Sequence, residues 1–317
     1  MKARQELLDA LARSRIEELD EEYHAYRPAR RFSLLLSWLG GWLRARKQVV
    51  IDPLPTVGSA EVGISYAGHV SVLLRYASVG IAINPVLARR AGPLGLAPRV
   101  VEPGLRPADF GQADLILITH AESSHLDLRT LRCLPRESTV IVPPRCAALV
   151  GRIGFARIVE LGIGYTYQHR DVEIEATSVR NDGGRRPACA YVIRGDGPSV
   201  FYCGGSGYCA ELGTIGRKHH PDIAILPIGG YLSSFSPFSF RSSNLSPPDA
   251  LYAFEDLSAR MLIPIHWGTF ALSYESFEDP LIWLRTLVAR RRLEPYLTIL
   301  EPGRSAIFRG PCTVSPK

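Results

Sequence analysis

From Val62 onward the chain breaks into short β-branched runs bounded by Gly, Pro or Asp, and their order constrains the fold more than any other feature. Val62–Tyr66, Val70–Tyr76 and Val79–Ile83 follow one another across hairpin-length gaps. The later runs are Leu115–Ile118, Thr139–Val142, Val172–Thr177, Tyr191–Ile193, Ser199–Cys203, Ile223–Leu226 and Met261–Ile265. Helical patterns at Asp127–Leu134, Arg145–Ile153, Pro247–Ala259 and Pro280–Leu293 lie between or after them. Hairpins first and helix–strand alternation later predict a mixed α/β sandwich. The last helix is well marked, with Pro280 at its start and Arg290, Arg291 and Arg292 at its end, where cations suit the helix dipole.

Residues 1–55 read as a helical extension to a main domain at 56–317. Residues 2–22 read as a helix with Leu7, Leu8, Leu11, Ile16 and Leu19 near one face, and a second apolar stretch at 32–43, read as a short helix, carries Trp38 and Trp42. That stretch is about half the roughly 20 residues a bilayer span needs. Arg27, Arg30, Arg31, Arg44, Arg46 and Lys47 surround it without an acidic neighbour and equal the whole net charge of +6. Residues 27–47 therefore suit a membrane surface, a partner protein or the chain's own core. With 37 basic and 31 acidic residues there is no polycationic tail, and nucleic acid is not an expected partner. The first 23 residues are too charged for a signal peptide, and six cysteines without a CxxC pair fit a reducing compartment. A cytoplasmic protein, associated with membrane if the basic segment docks there, is the expectation.

Functional groups of α/β folds collect where strands end. Here Leu115–Thr119 runs into His120-Ala121-Glu122-Ser123-Ser124-His125-Leu126-Asp127, Ser199–Cys203 into Gly204-Gly205-Ser206-Gly207-Tyr208, Ile223–Pro227 into Ile228-Gly229-Gly230-Tyr231, and Met261–Ile265 into His266-Trp267-Gly268-Thr269-Phe270. Two histidines and a glutamate within six residues, with a third histidine at another strand exit, point to a site.

These segments resemble the metallo-β-lactamase fold, in the branch of N-acylphosphatidylethanolamine-hydrolysing phospholipase D and the ascorbate-6-phosphate lactonase-like proteins. Gly68-His69 and Ile83-Asn84-Pro85 resemble the branch's Gly-His pair and its L-T-D-P turn. His120–Asp127 lies on its H-x-H-x-D-H-L-D motif, Gly204–Tyr208 on G-D-T-G-Y, and Leu226–Tyr231 on L-P-I-G-x-Y. Ile263–Phe270 matches I-P-I-H-W-G-T-F letter for letter. The resemblance implies an αββα sandwich, a hydrolytic ancestry with two divalent metals, usually zinc, and a phosphodiester or lactone substrate class.

The same alignment implies a degraded metal centre. His120, His125 and His266 stand at histidine positions, but Glu122 replaces a histidine, Ser124 an aspartate, Asn181 a histidine and Gly205 the bridging aspartate. Asn244 replaces a histidine on the substrate side, and Asn84 the aspartate of the early turn. The residual metal candidates are thus His120, Glu122, His125 and His266, with one zinc or iron as the alternative to no metal. The leading expectation is a pseudoenzyme that binds a protein or lipid-like ligand, with Arg180, Asn181, Arg185, Tyr231 and Asn244 as candidate contacts and Arg186 a further anion candidate. The alternative is a single-metal hydrolase of phosphodiesters or lactones. A third reading is metal-free, since Ser206, Asp249 or Asp256, and His266 occur in the Ser…Asp…His order of a nucleophile-elbow hydrolase. His219-His220 before Pro221 reads as a solvated connector, and His69 as a structural hydrogen bonder.

Overall fold

The computed structural model describes residues 45–92, 95–180, 187–231, 244–273, 275–310 and 313–315. The helical readings for 2–22 and 32–43 lie outside them. One sheet has eight strands: β1 (Glu61–Gly68), β2 (Ser71–Arg75), β3 (Gly80–Ile83), β6 (Leu115–Leu117), β7 (Thr139–Val142), β8 (Arg157–Glu160), β15 (Ser305–Arg309) and β16 (Thr313–Ser315), in the order β16-β15-β1-β2-β3-β6-β7-β8. The other has six: β9 (Thr166–His169), β10 (Val172–Thr177), β11 (Ala190–Arg194), β12 (Val200–Tyr202), β13 (Ile223–Pro227) and β14 (Met261–Ile265), in the order β14-β13-β12-β11-β10-β9. A two-residue pairing of β4 (Arg90–Ala91) with β5 (Ala97–Pro98) stands apart. Each large sheet is antiparallel on one side and parallel on the other, with β3-β6-β7-β8 and β12-β13-β14 parallel.

The period-2 pattern sorts each strand's side chains into two layers. Ile81, Ile83, Leu115, Leu117, Ile223 and Ile225 meet between the sheets, whereas Ala82, Ile116, Ala224 and Leu226 face outward. The outward sets are covered by helices. Leu131 of α1 (Leu128–Leu131) and Val150 of α2 (Ala147–Val150) cover the first sheet. Leu212 and Ile215 of α3 (Glu211–His219), Ala250, Leu251 and Phe254 of α4 (Pro247–Asp256), and Trp283, Leu284 and Leu287 of α5 (Asp279–Arg291) cover the second. At about 1.5–3 kcal/mol per buried large apolar side chain, these three layers hold the αββα sandwich together. Four buried tyrosines lock it: Tyr66, Tyr76, Tyr191 and Tyr202 donate to the carbonyls of His69, Pro198, Ile118 and Val70. Tyr191 and Tyr202, on the second sheet, thereby reach backbone of the first.

Several elements differ from the sequence reading. The helix read at Asp127–Leu134 is observed as the shorter α1, which Asp127 caps at its start, its carboxylate accepting from Arg129 N at 3.0 Å. Helix α4 is as read at its start: Ser246 and Asp249 form a capping box, with Pro247 and Pro248 in the first turn. Helix α3 was not expected, since Gly213 and Gly216 lower its helix propensity. Gly216 is there for packing: a Cβ would stand 2.1 Å from the Asp256 carbonyl oxygen at the end of α4. His219 closes α3 and is not solvated; its side chain is 3% exposed, with Nε2 3.4 Å from Glu175. His220 takes the left-handed C-cap position. Residues 45–55 are not helical and bond to the main domain, through Lys47 N to Val100 O, Asp52 N to Gly303 O, and an Arg46–Glu102 ion pair at 2.6 Å. That pair occupies one of the six cations counted around the basic segment. No helix among the described residues is long and apolar enough to cross a membrane.

Candidate functional site

The strand exits converge at one end of the sandwich. Loops after β1, β3, β6, β12, β13 and β14 bring together His69, Asn84, Thr119–His125, Cys203–Tyr208, Gly229–Tyr231 and His266–Thr269. Four imidazoles form the centre. Ring centroids lie 4.2 Å apart for His69–His266, 4.6 Å for His120–His125, and 6.0 Å for both His69–His125 and His125–His266. All four are buried. His69, Asn84 and His266 hold positive φ of 58°, 43° and 65°, a conformation costing about 1–3 kcal/mol each in non-glycine residues. Hydrogen bonds over-determine it: His266 N donates to His69 O at 2.7 Å and His69 N to Thr269 Oγ1 at 2.9 Å.

A polar chain fixes His120. Asn84 Oδ1 accepts from Thr119 N at 2.8 Å, so its Nδ2 faces, and donates to, Thr119 Oγ1 at 2.8 Å and Tyr202 OH at 3.3 Å. The Thr119 hydroxyl is left to donate to His120 Nδ1 at 2.9 Å, and the His120 ring also bonds the backbone of Gly205. His125 is fixed similarly. Its Nε2 lies 3.1 Å from the Gly204 carbonyl and its Nδ1 3.0 Å from Ser124 Oγ. A carbonyl only accepts, so Nε2 carries the proton and Nδ1 accepts from Ser124. Burial, with the neighbouring rings adding to it in the first three, holds His69 and His120 well below the usual histidine range, His266 at about 3, and His125 lowered. All four are neutral at pH 7.

The donor set does not fit two metals. Both nitrogens of His125 are engaged. Gly204 and Gly205 press against the histidines: a Cβ on Gly204 would lie 2.5 Å from Thr119 Oγ1 and 2.6 Å from Asn84 Nδ2, and one on Gly205 3.1 Å from His125 Nε2. Glu122 is exposed, and Asp127 is committed to Arg129 N, Ala88 N and Thr130. Among the described residues no three His, Cys, Asp or Glu side chains converge to hold a metal ion. Two dications without a bridging carboxylate would leave their charge uncompensated in a buried site.

The remaining predicted site residues are placed as follows. Ser206 is buried, its hydroxyl accepting from Arg180 N at 3.0 Å and donating to Gly207 O at 2.8 Å, so in the structure it pairs with backbone and not with His266. Asp249 serves the α4 cap, and Asp256 accepts from Tyr208. Arg180 Nη1 reaches Tyr208 O at 3.5 Å. Tyr231 packs edge-on against Trp283 at 5.7 Å, in the helix layer. Asn244 belongs to the site: its Nδ2 donates to Gly230 O at 3.3 Å and its Oδ1 would meet a Gly205 Cβ at 3.0 Å. Asn181, Arg185 and Arg186 lie outside the described residues. Thr119, Gly204 and Tyr202 are site residues the sequence reading passed over.

A four-layer αββα sandwich with histidines gathered beyond β6 and β14 is the architecture of the metallo-β-lactamase fold. The chain belongs to that superfamily, since residues 80–267, more than half its length, match the family model described as beta-lactamase superfamily domain. Among curated relatives, a UPF0173 metal-dependent hydrolase of Methanopyrus kandleri is 27% identical over 252 residues, covering 76% of this chain and 98% of that protein. A Mycobacterium tuberculosis protein is 25% identical over 274 residues, covering 81% and 72%. Of solved structures, Igni18, described as a novel metallo hydrolase from Ignicoccus hospitalis, superposes with TM-score 0.59 at 22% identity, over 78% of this chain and 99% of that one. An isothiocyanate hydrolase from Delia radicum gut bacteria gives 0.65 at 17% identity, with the same coverage. These likenesses concern the fold.

Proposed function

We propose that this chain uses the metallo-β-lactamase scaffold to bind a ligand and has given up the dinuclear hydrolytic centre. One observation carries the reading: His125 spends both ring nitrogens on Ser124 and Gly204, while Gly205 stands where the branch has its bridging carboxylate. The letter-for-letter Ile263–Phe270 segment supports descent from the phospholipase D-like and lactonase-like branch. The test is metal content by mass spectrometry on untagged protein purified without chelator, beside a His120→Ala/His266→Ala variant. Metal far below one equivalent in both is the expected result.

A single-metal hydrolase is the second reading, favoured by four buried imidazoles each within 6.0 Å of a neighbouring ring and by the similarity to the Methanopyrus metal-dependent hydrolase. It requires Glu122 to turn inward from its exposed position. About one zinc or iron per chain, lost in the double variant, would establish it in place of the binding-protein reading.

A further inference from the structure

We propose that the histidine end of the sandwich docks on an anionic lipid surface, with residues 27–47 as its anchor. The docking goes beyond the binding-protein reading and stands whether or not the histidines hold metal.

Composition is the first argument. No acidic residue stands between Tyr23 and Val50, a stretch that carries Arg27, Arg30, Arg31, Arg44, Arg46 and Lys47. Among these cations lies the apolar stretch 32–43, with Trp38 and Trp42. Cations are drawn to an anionic leaflet, and indole rings favour headgroup depth. A protein partner would have to present a matched set of carboxylates, whereas a leaflet offers anions in any arrangement.

The point of attachment is the second argument. Residues 27–44 precede the described part, but the chain that follows them is fixed. Lys47 N donates to Val100 O and Lys47 O accepts from Glu102 N, both at 2.9 Å. Val100 N in turn donates to Thr269 O at 2.9 Å, and Thr269 Oγ1 accepts from His69 N. The end of the anchor is thereby bonded, through one intervening segment, to the loops that carry the histidines. Ala45, Lys47, Gln48 and Val50 are exposed, so the anchor joins the domain at its surface.

The surrounding surface has the matching charge. Arg89 O accepts from Arg99 N at 2.9 Å, which sets the exposed Arg89 beside the segment that holds Lys47. Asp127 takes Ala88 N and Arg129 N on its two carboxylate oxygens, so the exposed Arg129 adjoins Arg89. Ser123 Oγ donates to Gly92 O at 2.9 Å and ties the Glu122 loop to the β4–β5 hairpin, where Leu96 is an exposed apolar side chain. Glu102 pairs with Arg46, and Asp127 is buried on the backbone groups it accepts from. Glu122 is then the exposed carboxylate of these segments, against Lys47, Arg89 and Arg129. Each cation near an anionic leaflet strengthens binding severalfold.

The experiment is co-sedimentation of the full-length protein with vesicles of phosphatidylcholine, and with vesicles of phosphatidylcholine mixed with phosphatidylglycerol. Saturable binding to the mixed vesicles is expected, weakening as salt is raised, with little binding to phosphatidylcholine alone. Arg27→Gln/Arg30→Gln/Arg31→Gln should weaken binding about a hundredfold, and Trp38→Ala/Trp42→Ala about tenfold. Lys47→Gln/Arg89→Gln, within the described surface, should weaken it about tenfold. Arg285→Gln/Arg290→Gln, at exposed positions of α5 over the other sheet, should leave it unchanged. Melting temperatures are read on the same samples, and the comparison is made between the variants that fold. Absence of binding to the mixed vesicles would overturn the proposal and leave residues 27–47 to a protein partner or to the chain's own core. Equal binding to both kinds of vesicle, or a loss in the α5 variant as large as in Lys47→Gln/Arg89→Gln, would overturn it too.

Discussion

His125 Nε2 points its proton at the carbonyl oxygen of Gly204, 3.1 Å away, across the gap between the loops after β6 and β12. Backbone carbonyls of a two-glycine turn reach this close because neither residue carries a Cβ.

An aspartate introduced at position 205 should therefore not create a metal site. Its Cβ would stand 3.0 Å from Asn244 Oδ1 and 3.1 Å from His125 Nε2, so those side chains must give by a few tenths of an ångström. Gly205→Asp is expected to lower stability by about 1–3 kcal/mol, as overpacking does. Zinc should not raise its melting temperature, because ligand linkage requires a site that binds the folded state. A zinc-dependent rise in the variant's melting temperature would show that the remaining donors still converge.

Ser206 is predicted to be inert. Its hydroxyl joins the Arg180 and Gly207 backbone, and no base lies among its recorded partners. A fluorophosphonate probe should leave the protein unlabelled, and Ser206→Ala should cost about 1 kcal/mol through the lost bond to Arg180 N. Stoichiometric labelling at Ser206 would contradict both statements.

What was legible in the sequence was local. The runs at Thr139–Val142 and Val172–Thr177 have the observed bounds, the first because a strand buried on both faces reads as a continuous apolar run after Thr139, the second because Val172, Ile174 and Ala176 alternate with Glu173, Glu175 and Thr177. The capped start of α4 was legible for the same local reason, as were His120, His125 and His266 at their strand exits. Edge strands β8 and β9 were missed because they are four residues long and partly exposed, with only Ile158 and Val159 apolar in one and Tyr167 in the other, too little for a strand pattern. Helix α3 was hidden by glycines whose purpose is a contact with α4. The tautomers of the site were hidden more deeply. They depend on Asn84 meeting Thr119 across 35 positions, and His125 meeting Gly204 across 79, pairings that only the closed sandwich creates.

The neutral histidines should make the fold acid-sensitive, and the sign follows from their burial. His266 sits at about 3 when folded, against about 6.5 for an exposed histidine in the unfolded chain. Between those values the unfolded chain binds the extra proton, so falling pH favours unfolding. The stability these rings permit is complete above about pH 7.5 and is lost as pH falls through 6.5 toward the folded value, with a slope of up to ~1.4 kcal/mol per pH unit for each ring. His69, His120 and His125 are shifted in the same direction by the same burial and add to the slope. Denaturant midpoints measured from about pH 8 to about pH 5 should fall steeply below 6.5. His266→Gln removes one titrating ring and should flatten the fall by up to ~1.4 kcal/mol per pH unit. A midpoint that holds steady across this range, or a variant as acid-sensitive as the parent, would mean that the histidines take up protons in the folded chain, and the donation from Ser124 Oγ to His125 Nδ1 would then not be the resting arrangement.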